Sequence, residues 1–347
     1  MSEHKTCKVK IVGATGYTGG ELIRLLLTHP HVEITSLTGA GIGADQPIFN
    51  FWSWLRNICD LKVSEEKVGD PQGADVVFLS VPHGVSMKLA PAYLEKGCKV
   101  IDLSADYRFR DLSIRDAWYD GEHTSPELCQ TAAYGMPELF REEIKTAQLI
   151  ANPGCYPTTV ILGLYPAIRE GLIQADGIHV NSATGVTGAG KKANLIFHHP
   201  ELDQNYFAYR IGKHQHCPEM IDILSRATGK DVSLAFVPHV LPLQRGILST
   251  MYCRKAGGAS VQEIWEVYQN MYKNEQFVRL YPLGKTPDLQ GVRMSNFVDI
   301  SIHEDVVTGD VIILSAEDNL VKGAAGQAVQ NLNVMMGYPE KYGLLPS

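Results

Sequence analysis

Hydrophobic and polar positions along the first third of the chain predict alternating strands and helices. Short apolar runs predict four strands, at 8–12, 31–37, 75–81 and 98–103. Between them, segments 20–28 and 87–96 carry apolar residues at helical spacing. The run at 75–81 is apolar at nearly every position, as expected for a parallel strand covered on both faces. The alternation predicts an α/β fold built on a parallel sheet.

The pattern changes after residue 152. In segment 296–303, Val298, Ile300 and Ile302 alternate with polar residues, which predicts an antiparallel strand with one covered face. Ser260 and Glu263 form a capping-box pattern that predicts the start of a helix. A second, α+β domain is therefore expected. One final helix is predicted over 320–336, where small residues permit close backbone approach.

Composition narrows the class of protein. The 347 residues suit two domains, and a net charge of -7 argues against a nucleic-acid partner. The start of the chain has no apolar signal core, and no run approaches the roughly 18 apolar residues of a membrane helix. The seven cysteines are scattered, odd in number and without a CxxC pair. We therefore expect a cytoplasmic protein without membrane contact, whose partner is a small molecule.

A glycine-rich turn, GATGYTG (13–19), lies between the first predicted strand and helix. Glycines there permit a tight turn, and the helix N-terminus offers N–H groups to a pyrophosphate. The GxxGxxG spacing is a weak signal by itself, but its place in the first βα unit favours a Rossmann-type nucleotide site. The predicted cofactor contacts in this turn are Gly13, Thr15, Gly16, Tyr17, Thr18 and Gly19.

The end of the second strand bears on the choice of cofactor. Leu37, Thr38 and Gly39 stand where an NAD site usually has an acidic residue that binds the ribose hydroxyls. The absence of a carboxylate favours NADP, with Thr38 as a predicted contact. The alternative is that the strand boundary is misplaced, in which case Glu33 is the nearest acid.

Cys155 lies in the segment NPGCYP (152–157), ahead of an apolar helical stretch at 161–168. Pro157 is typical of a first helical turn, where its missing N–H needs no partner. Cys155 is thus predicted at or just before a helix N-terminus, which lowers the pKa of a thiol. The N–H groups there would also hold an oxyanion. The alternative is a buried structural cysteine, but the flanking proline and glycine favour an accessible side chain.

Two histidines, His214 and His216, precede another predicted helix. A cysteine nucleophile needs a proton partner, so acid/base catalysis is one interpretation of the pair. A metal site that adds Cys217 or His198–His199 is a second, less favoured because no further ligand pair has a familiar spacing. In a third interpretation, one histidine only orients the other.

With these residues in view, the chain resembles the N-acetyl-gamma-glutamyl-phosphate reductase family of arginine biosynthesis over essentially its full length. The matching segments are VGATGYTGGELIRLL (12–26), PHGVS (82–86), IDLSADYRFRD (101–111), AAYGMPEL (132–139), ANPGCYPT (151–158), SATGVTGAGK (182–191), HQHCPE (214–219), VPHVLPLQRGILST (237–250) and DNLVKGAAGQAVQN (318–331). The segments around Cys155 and His216 discriminate best, and the glycine turn discriminates least. The family is similar in fold to aspartate-semialdehyde dehydrogenases.

The resemblance implies an NADP-binding Rossmann domain at 1–154, completed by 319–347, and an α+β catalytic and oligomerisation domain at 155–318. It implies a homodimer or homotetramer that reduces an acyl phosphate with NADPH, through a thioester on Cys155, to a semialdehyde. His216 is the preferred acid/base over His214, because a helix-opening Pro–Glu pair follows it. Alternatives are the same chemistry on an aspartyl or carrier-bound aminoadipyl phosphate, and a non-catalytic dinucleotide sensor.

Further site residues follow from the resemblance. The additional expected cofactor or active-site contacts are Ser182, Gly188, Asn319 and Gly323. The candidates for holding the phosphate and carboxylate of the substrate are Arg108, Arg110 and Arg210, because a guanidinium binds both groups bidentately. Surface ion pairs are the alternative, and for Arg110, next to Asp111, that alternative is at least as well favoured. The aromatic stretch at 49–60 receives no functional assignment.

Overall fold

A computed structural model describes residues 5–345 of the chain. Its strands are, in chain order, β1 (Cys7–Val12), β2 (Val32–Gly39), β3 (Gln46–Pro47), β4 (Lys62–Glu65), β5 (Val76–Leu79), β6 (Lys99–Asp102), β7 (Ala133–Tyr134), β8 (Leu149–Ala151), β9 (Ile178–Thr184), β10 (Phe207–Ala208), β11 (Leu234–Val240), β12 (Ile247–Cys253), β13 (Val278–Leu280), β14 (Val298–Glu304) and β15 (Val311–Glu317). Its α-helices are α1 (Tyr17–Leu26), α2 (Ser86–Glu95), α3 (Leu112–Trp118), α4 (Leu128–Thr131), α5 (Pro137–Thr146), α6 (Cys155–Arg169), α7 (His199–Leu202), α8 (His216–Thr228), α9 (Val261–Tyr272), α10 (Leu289–Val292) and α11 (Gly326–Met336). No helix among these residues is long and apolar enough to cross a membrane.

The chain divides into two compact units. The first takes the described residues up to Pro153 together with those from Ala324, and the second runs from Gly154 to Gly323. Each unit contains one sheet.

The sheet of the first unit has the strand order β3-β4-β2-β1-β5-β6-β8-β7. All neighbouring strands are parallel except β3 and β4. Strand β5 is buried at all four positions, as its apolar run predicts. The strand order reverses at β1, between β2 and β5, and ligands of such sheets bind outside the carboxyl ends of the strands at that point. The predicted Rossmann-type α/β fold is confirmed, and the turn after β1 lies at its ligand-binding edge.

Helix α11 belongs to the first unit, where it packs on α1 and α5. Asn331 Nδ2 donates to the carbonyl oxygen of Gly135 at 2.8 Å, and Asn333 Oδ1 lies 2.8 Å from His29 Nε2. The helix predicted over 320–336 is present, and its first part, Val321–Ala325, is a π-helix that leads directly into α11. The glycine and alanines of that segment permit the wider turn, since they have little side chain to pack.

The sheet of the second unit has the order β10-β11-β9-β12-β15-β14-β13 and mixes parallel with antiparallel pairs. Strand β14 pairs antiparallel with β15, as its alternation predicts. The expectation of one covered face is wrong, because the polar residues Asp299 and Ser301 are also buried. Asp299 accepts hydrogen bonds from Arg279 Nε at 2.5 Å and Nη2 at 2.8 Å, which offset the cost of burying its charge.

Helix α9 anchors the helix that carries Cys155. The predicted capping box is present, since Ser260 Oγ accepts from the Glu263 N–H and the Glu263 carboxylate accepts from the Ser260 N–H. The hydroxyls of Tyr268 and Tyr272 donate to carbonyl oxygens of α6 at 2.6 and 2.7 Å. Both tyrosines are buried, so α6 is held against α9 by directional bonds as well as by packing.

Candidate active site

Cys155 is the first residue of α6, and Gly154 is the N-cap with an extended backbone (φ -68°, ψ 156°). Cys155 is partly exposed, whereas Gly154 and Tyr156 on either side are buried. The thiol therefore lies at a helix N-terminus, where the helix dipole stabilises a thiolate. The helix begins where the sequence predicts it.

The other cysteines lie in a different environment. All seven fall within the described range, and none is in a disulfide. Burial is the first cause of a raised pKa in five of them, namely Cys7, Cys98, Cys129, Cys217 and Cys253. Thiols of this kind are inert, because they stay protonated at neutral pH.

Glu219 connects the start of α6 to the start of α8. Its Oε1 accepts the backbone N–H of Gly154 at 2.9 Å, and the side chain is fully buried in the first turn of α8. A buried carboxylate at a helix N-terminus is favourable because it faces the positive end of the dipole. The bond fixes the two helix starts, which carry Cys155 and His216, next to each other.

His216 lies against the residue that precedes the candidate nucleophile. A Cβ built on Gly154 would be 2.5 Å from His216 Nε2 and 2.7 Å from its Cδ2. Only glycine leaves room for the imidazole at this position. The ring is therefore placed for proton exchange with a group bound at the N-terminus of α6.

His214 is buried behind His216. Its Nδ1 accepts the backbone N–H of His216 at 3.2 Å, and its Nε2 lies 3.3 Å from the hydroxyl of Tyr209. Because Nδ1 accepts, the proton of the neutral ring is assigned to Nε2. Burial, with a smaller effect of the Arg210 charge, lowers the pKa of His214 to about 4. A ring that is neutral at pH 7 and bonded in this way favours an orienting role.

Aromatic rings surround the histidine pair. The ring of Tyr156 lies 5.3 Å from that of His214, 5.9 Å from that of His216 and 5.1 Å from that of Phe236. The hydroxyls of Tyr156 and Tyr209 are 3.0 Å apart. Burial is the main cause that raises the pKa of Tyr156 and the pKa of Tyr209, the latter to about 12. Both hydroxyls stay protonated, so these residues hold the histidines in place without adding charge.

Gly323 packs directly against Cys155. A Cβ built on Gly323 would lie 2.9 Å from Cys155 Cβ and 2.7 Å from Oε1 of Glu317. Glu317 is fully buried at the end of β15. The predicted contact of Gly323 with the cofactor stays a prediction, and its contact with the cysteine accounts for a glycine here.

In the first unit, the glycine turn fits a dinucleotide. A Cβ on Gly13 (φ +87°) would lie 2.0 Å from Ser80 O, and one on Gly19 would lie 2.2 Å from Gly13 O. A Cβ on Gly16, the N-cap of α1, would be no closer than 3.5 Å to its neighbours. Two glycines thus permit the tight turn, and the third leaves its outer side open. The first N–H groups of α1, from Tyr17 onward, can bind a pyrophosphate.

The aromatic stretch at 49–60 packs on this turn. Trp52 Nε1 donates to the carbonyl oxygen of Ala14 at 3.0 Å. A Cβ on Gly20 would lie 2.5 Å from Trp52 Cε2, and the ring of Tyr17 lies 6.2 Å from that of Trp52. Trp52 therefore fixes the start of α1, a role that the sequence did not reveal.

Thr38 supports the glycine turn through its backbone. Its carbonyl oxygen accepts the N–H groups of Gly13 and Ala14 at 2.8 and 3.1 Å. Its hydroxyl is buried and donates to Glu66, which is paired with buried Lys10 at 3.1 Å. A contact between Thr38 and the cofactor stays a prediction.

Two family models match this chain, and the residues that they match agree closely with the two units. A model described as "Semialdehyde dehydrogenase, NAD binding domain" matches residues 8–147, and one described as "Semialdehyde dehydrogenase, dimerisation domain" matches residues 155–319. The N-acetyl-gamma-glutamyl-phosphate reductase of Desulforudis audaxviator is 45% identical over 339 residues, covering 97% of this chain and 98% of that protein. The enzyme of the same name from Pelobacter propionicus is 46% identical over 338 residues, covering 97% of each.

The chain belongs to the N-acetyl-gamma-glutamyl-phosphate reductase family. The resemblance drawn from the sequence is confirmed, and so is the prediction of a dinucleotide-binding domain.

Solved structures share the fold of this family member. The aspartate semialdehyde dehydrogenase II of Vibrio cholerae, complexed with ASA, has a TM-score of 0.73 at 18% identity, covering 96% of this chain and 99% of that one. The aspartate semialdehyde dehydrogenase of Candida albicans, solved with NADP, also has a TM-score of 0.73 at 18% identity, covering 95% and 98%. At this identity the likeness concerns the fold alone.

The arginines predicted to hold substrate differ in their partners. Arg108 is buried, and its Nε donates to Asn152 O at 2.8 Å. Arg110 forms an exposed ion pair with Glu143 at 2.8 Å, so its partner is not the neighbouring Asp111. Arg210 is exposed and donates to Gln215 Oε1 at 3.2 Å. Of these three arginines, Arg210 alone belongs to the same unit as Cys155.

Three predicted contacts in the second unit have partners within the protein. Ser182 Oγ is buried, 2.7 Å from Ser249 Oγ. Asn319 Oδ1 accepts the N–H of Gly246 at 2.8 Å, and a Cβ on Gly188 would lie 3.8 Å from Asn319 Nδ2. Gly188 and Asn319 are therefore close together, while Ser182 lies inside the sheet. Their cofactor roles stay predictions.

The sequence did not single out several residues that shape the site of this reductase-family chain. Glu219 ends the segment HQHCPE (214–219), and the signal that points to its role is an acid in a first helical turn. Glu317 and Tyr209 carry no local signal, since only the fold brings them to the site, whereas Tyr156 directly follows Cys155 in the chain. In the part of the chain that the structure describes, no group of three His, Cys, Asp or Glu side chains could hold a metal ion.

Replacing Gly154 by alanine is expected to lower kcat by about 100-fold, because the added methyl group displaces the His216 ring by steric contact. The extended backbone of Gly154 suits alanine, so the loss comes from the ring and not from backbone strain. Steady-state kinetics with a thermal melt checks this. Gly258→Ala, where no atom lies within 4 Å, is the matched control. A Gly154→Ala enzyme with normal kcat would contradict the placement of His216.

The stability of the protein is expected to fall between about pH 6.5 and pH 4 because of His214. Its pKa is about 4 in the folded state against 6.5 in the unfolded chain, so the unfolded state takes up a proton first as pH falls. The lowered pKa of His214 does not affect the free energy of unfolding above pH 6.5. At pH 4 it has reduced that free energy by about 3 kcal/mol. Urea unfolding at several pH values should show a smaller pH dependence for His214→Asn than for the wild type. Equal slopes in this range would count against a buried neutral His214.

Proposed function

We propose that the chain reduces N-acetyl-gamma-glutamyl phosphate with NADPH to N-acetylglutamate semialdehyde and inorganic phosphate, a step of arginine biosynthesis. The observation that carries the chemistry is the position of Cys155 at the N-terminus of α6, with His216 against the adjacent Gly154. The substrate follows from the names of relatives that are 45% and 46% identical over nearly the full chain.

Cys155 acts as the nucleophile. Its thiolate attacks the γ-carbonyl carbon of the acyl phosphate, a C–S bond forms, and the bond from that carbon to the phosphate oxygen breaks. Inorganic phosphate leaves, and a thioester remains on Cys155. The N–H groups at the start of α6 stabilise the negative oxygen of the tetrahedral intermediate.

His216 exchanges the proton in the second half of the reaction. NADP(H), when bound to the first unit, would supply the hydride that reduces the thioester. His216 would protonate the resulting oxygen and take that proton back as the hemithioacetal collapses, so that the C=O bond forms, the C–S bond breaks and the thiolate of Cys155 leaves. His214 accepts the backbone N–H of His216 and holds the start of α8 in register. Glu219 fixes the same two helix starts through Gly154.

The first unit supplies the groups that hold the nucleotide. Gly13, Gly16 and Gly19 form the turn, and the first N–H groups of α1 bind the pyrophosphate. We propose NADP(H) as the cofactor, which agrees with the lack of an acidic residue on β2 after Glu33. Arg210 is proposed to hold an anionic group of the substrate, because it is exposed and in the same unit as Cys155, whereas Arg108 and Arg110 belong to the first unit.

Assembly and location belong to the same proposal. A homodimer or homotetramer is supported by the match of residues 155–319 to a model described as a dimerisation domain. A cytoplasmic location is proposed because the proposed reaction is a step of amino-acid biosynthesis that uses NADPH.

The reverse reaction tests the function. Purified protein with N-acetylglutamate semialdehyde, NADP+ and inorganic phosphate should form NADPH, observed by its absorbance, and omission of phosphate should abolish the signal. Aspartate semialdehyde replaces the substrate in a parallel assay. Turnover of aspartate semialdehyde alone would overturn the substrate, and turnover without phosphate would overturn the acyl-phosphate chemistry.

A further inference from the structure

Glu65 ends β4 next to the end of β2. The two strands pair in parallel, and Gly39, the last residue of β2, is opposite Glu65. In Rossmann folds, an acid at the end of the second strand binds the ribose hydroxyls of NAD, whereas an arginine nearby accommodates the 2′-phosphate of NADP. Strand β2 ends without an acid, but its neighbour provides a carboxylate at the same level of the sheet.

The carboxylate of Glu65 holds the loop that follows β2. It accepts the backbone N–H groups of Gly41 at 3.0 Å, Ile42 at 2.6 Å and Gly43 at 3.4 Å. Gly41 and Gly43 have positive φ values of 71° and 68°, which turn successive N–H groups toward one point. These bonds lower the pKa of Glu65, so the group is ionised at neutral pH.

The carboxylate of Glu65 forms no ion pair with the lysines and arginines that the structure describes. Among the residues that the structure describes, the partners of Glu65 are the three N–H groups. The neighbouring Glu66 differs, because it is paired with Lys10 at 3.1 Å. The loop segment GAGIGADQ (39–46) contains neither lysine nor arginine. Glu65 therefore places an ionised carboxylate without an ion-pair partner at the end of β2.

The same loop begins beside the glycine turn. The carbonyl oxygen of Thr38 accepts the N–H groups of Gly13 and Ala14. A Cβ on Gly39 would lie 3.7 Å from Oγ1 of Thr15. A nucleotide whose pyrophosphate lies on the turn therefore has its adenosine ribose next to the end of β2, where Glu65 is.

We propose that Glu65 is a specificity-determining residue that weakens the binding of NADP(H) relative to NAD(H). Its charge repels a 2′-phosphate, and it already accepts three backbone N–H groups of the loop, which are then not available to a phosphate. A 2′-hydroxyl can instead donate to the carboxylate. The inference rests on the proposed nicotinamide-dependent function and extends it, because it assigns the chain a substantial affinity for NAD(H) beside NADP(H).

Nucleotide binding to the full chain tests this without turnover. The dissociation constants of NADP+ and NAD+ are measured by calorimetric titration for the wild type and for Glu65→Gln. The preference for NADP+ over NAD+ should rise about tenfold in Glu65→Gln, because one charge near a phosphate is removed. Glu33→Gln removes an equal charge at the exposed start of β2 and should leave the preference unchanged. Glu65→Asp keeps the charge and should stay closer to the wild type than Glu65→Gln.

The outcomes separate the inference from the function on which it rests. Equal weakening of both nucleotides by Glu65→Gln would make Glu65 a structural support only, and a shift toward NAD+ would reverse the proposal. Either result overturns it. A wild-type protein that binds neither nucleotide would overturn the proposed function itself. Should Glu65→Gln fail to fold, Ala44→Lys adds a cation to the exposed loop, and an unchanged preference there would also overturn the inference.

Discussion

Replacing Cys155 by serine is expected to reduce turnover by about 10⁴-fold or more. A serine hydroxyl remains protonated at the helix N-terminus that stabilises a thiolate, so the attack on the acyl phosphate loses its nucleophile. Serine has nearly the shape of cysteine and the glycine turn of the first unit is unchanged, so the dissociation constant of NADP+ should change little. Steady-state assays together with NADP+ titration separate the two effects.

Two further measurements sharpen this test. Cys217→Ser is the matched control, because burial raises the pKa of that thiol and the residue is adjacent to His216 without starting α6. It should keep near-normal turnover. Mass spectrometry of wild-type protein mixed with the acyl phosphate, without NADPH, should show one added acyl group that Cys155→Ser lacks. A serine variant with most of its activity would refute the covalent route.

Replacing His216 by asparagine is expected to lower kcat by roughly 10² to 10⁴-fold, the usual contribution of a positioned acid or base. Asparagine can fill part of the space against Gly154 but cannot exchange a proton. The affinity for NADP+ should again be unchanged. The pH profile of kcat should lose the limb that belongs to the imidazole, which loss of packing alone would not produce.

His214→Asn is the comparison that decides between the two histidines. Burial lowers the pKa of His214 to about 4, and its Nδ1 accepts the backbone N–H of His216. Its removal should therefore cost less activity than removal of His216 and should leave the shape of the pH profile intact. A larger loss in His214→Asn than in His216→Asn would exchange the two roles.

Much of the fold follows from local pattern. Four strands of the first unit, β1, β2, β5 and β6, could be predicted because their apolar runs lie in a parallel sheet covered on both faces, whereas β3, β4, β7 and β8 were not predicted. The predicted antiparallel strand β14 is an instructive exception. Its polar positions are buried because Arg279, from the neighbouring strand β13, pairs with Asp299. No pattern within β14 could indicate a partner that lies 20 positions earlier in the chain.

The candidate site divides in the same way. The helix starts at Cys155 and His216 could be predicted, because proline and glycine mark such starts locally. The bond from Glu219 to Gly154 spans 65 positions, and the packing of Trp52 on the glycine turn spans 38. These contacts are set by tertiary structure. The end of β2 is the clearest example, because the acid beside it, Glu65, belongs to β4 and could not be found from the sequence of β2.

The return of α11 to the first unit has a consequence for synthesis of the protein. His29 and Asn333, which form a hydrogen bond, are 304 positions apart. A ribosome-bound fragment that stops before Ala324 therefore lacks the helix that covers α1 and α5, while all of the second unit has already been translated. The nucleotide-binding unit is begun first and finished last. During most of translation its uncovered helices present apolar surface, a natural target for chaperones that bind nascent chains.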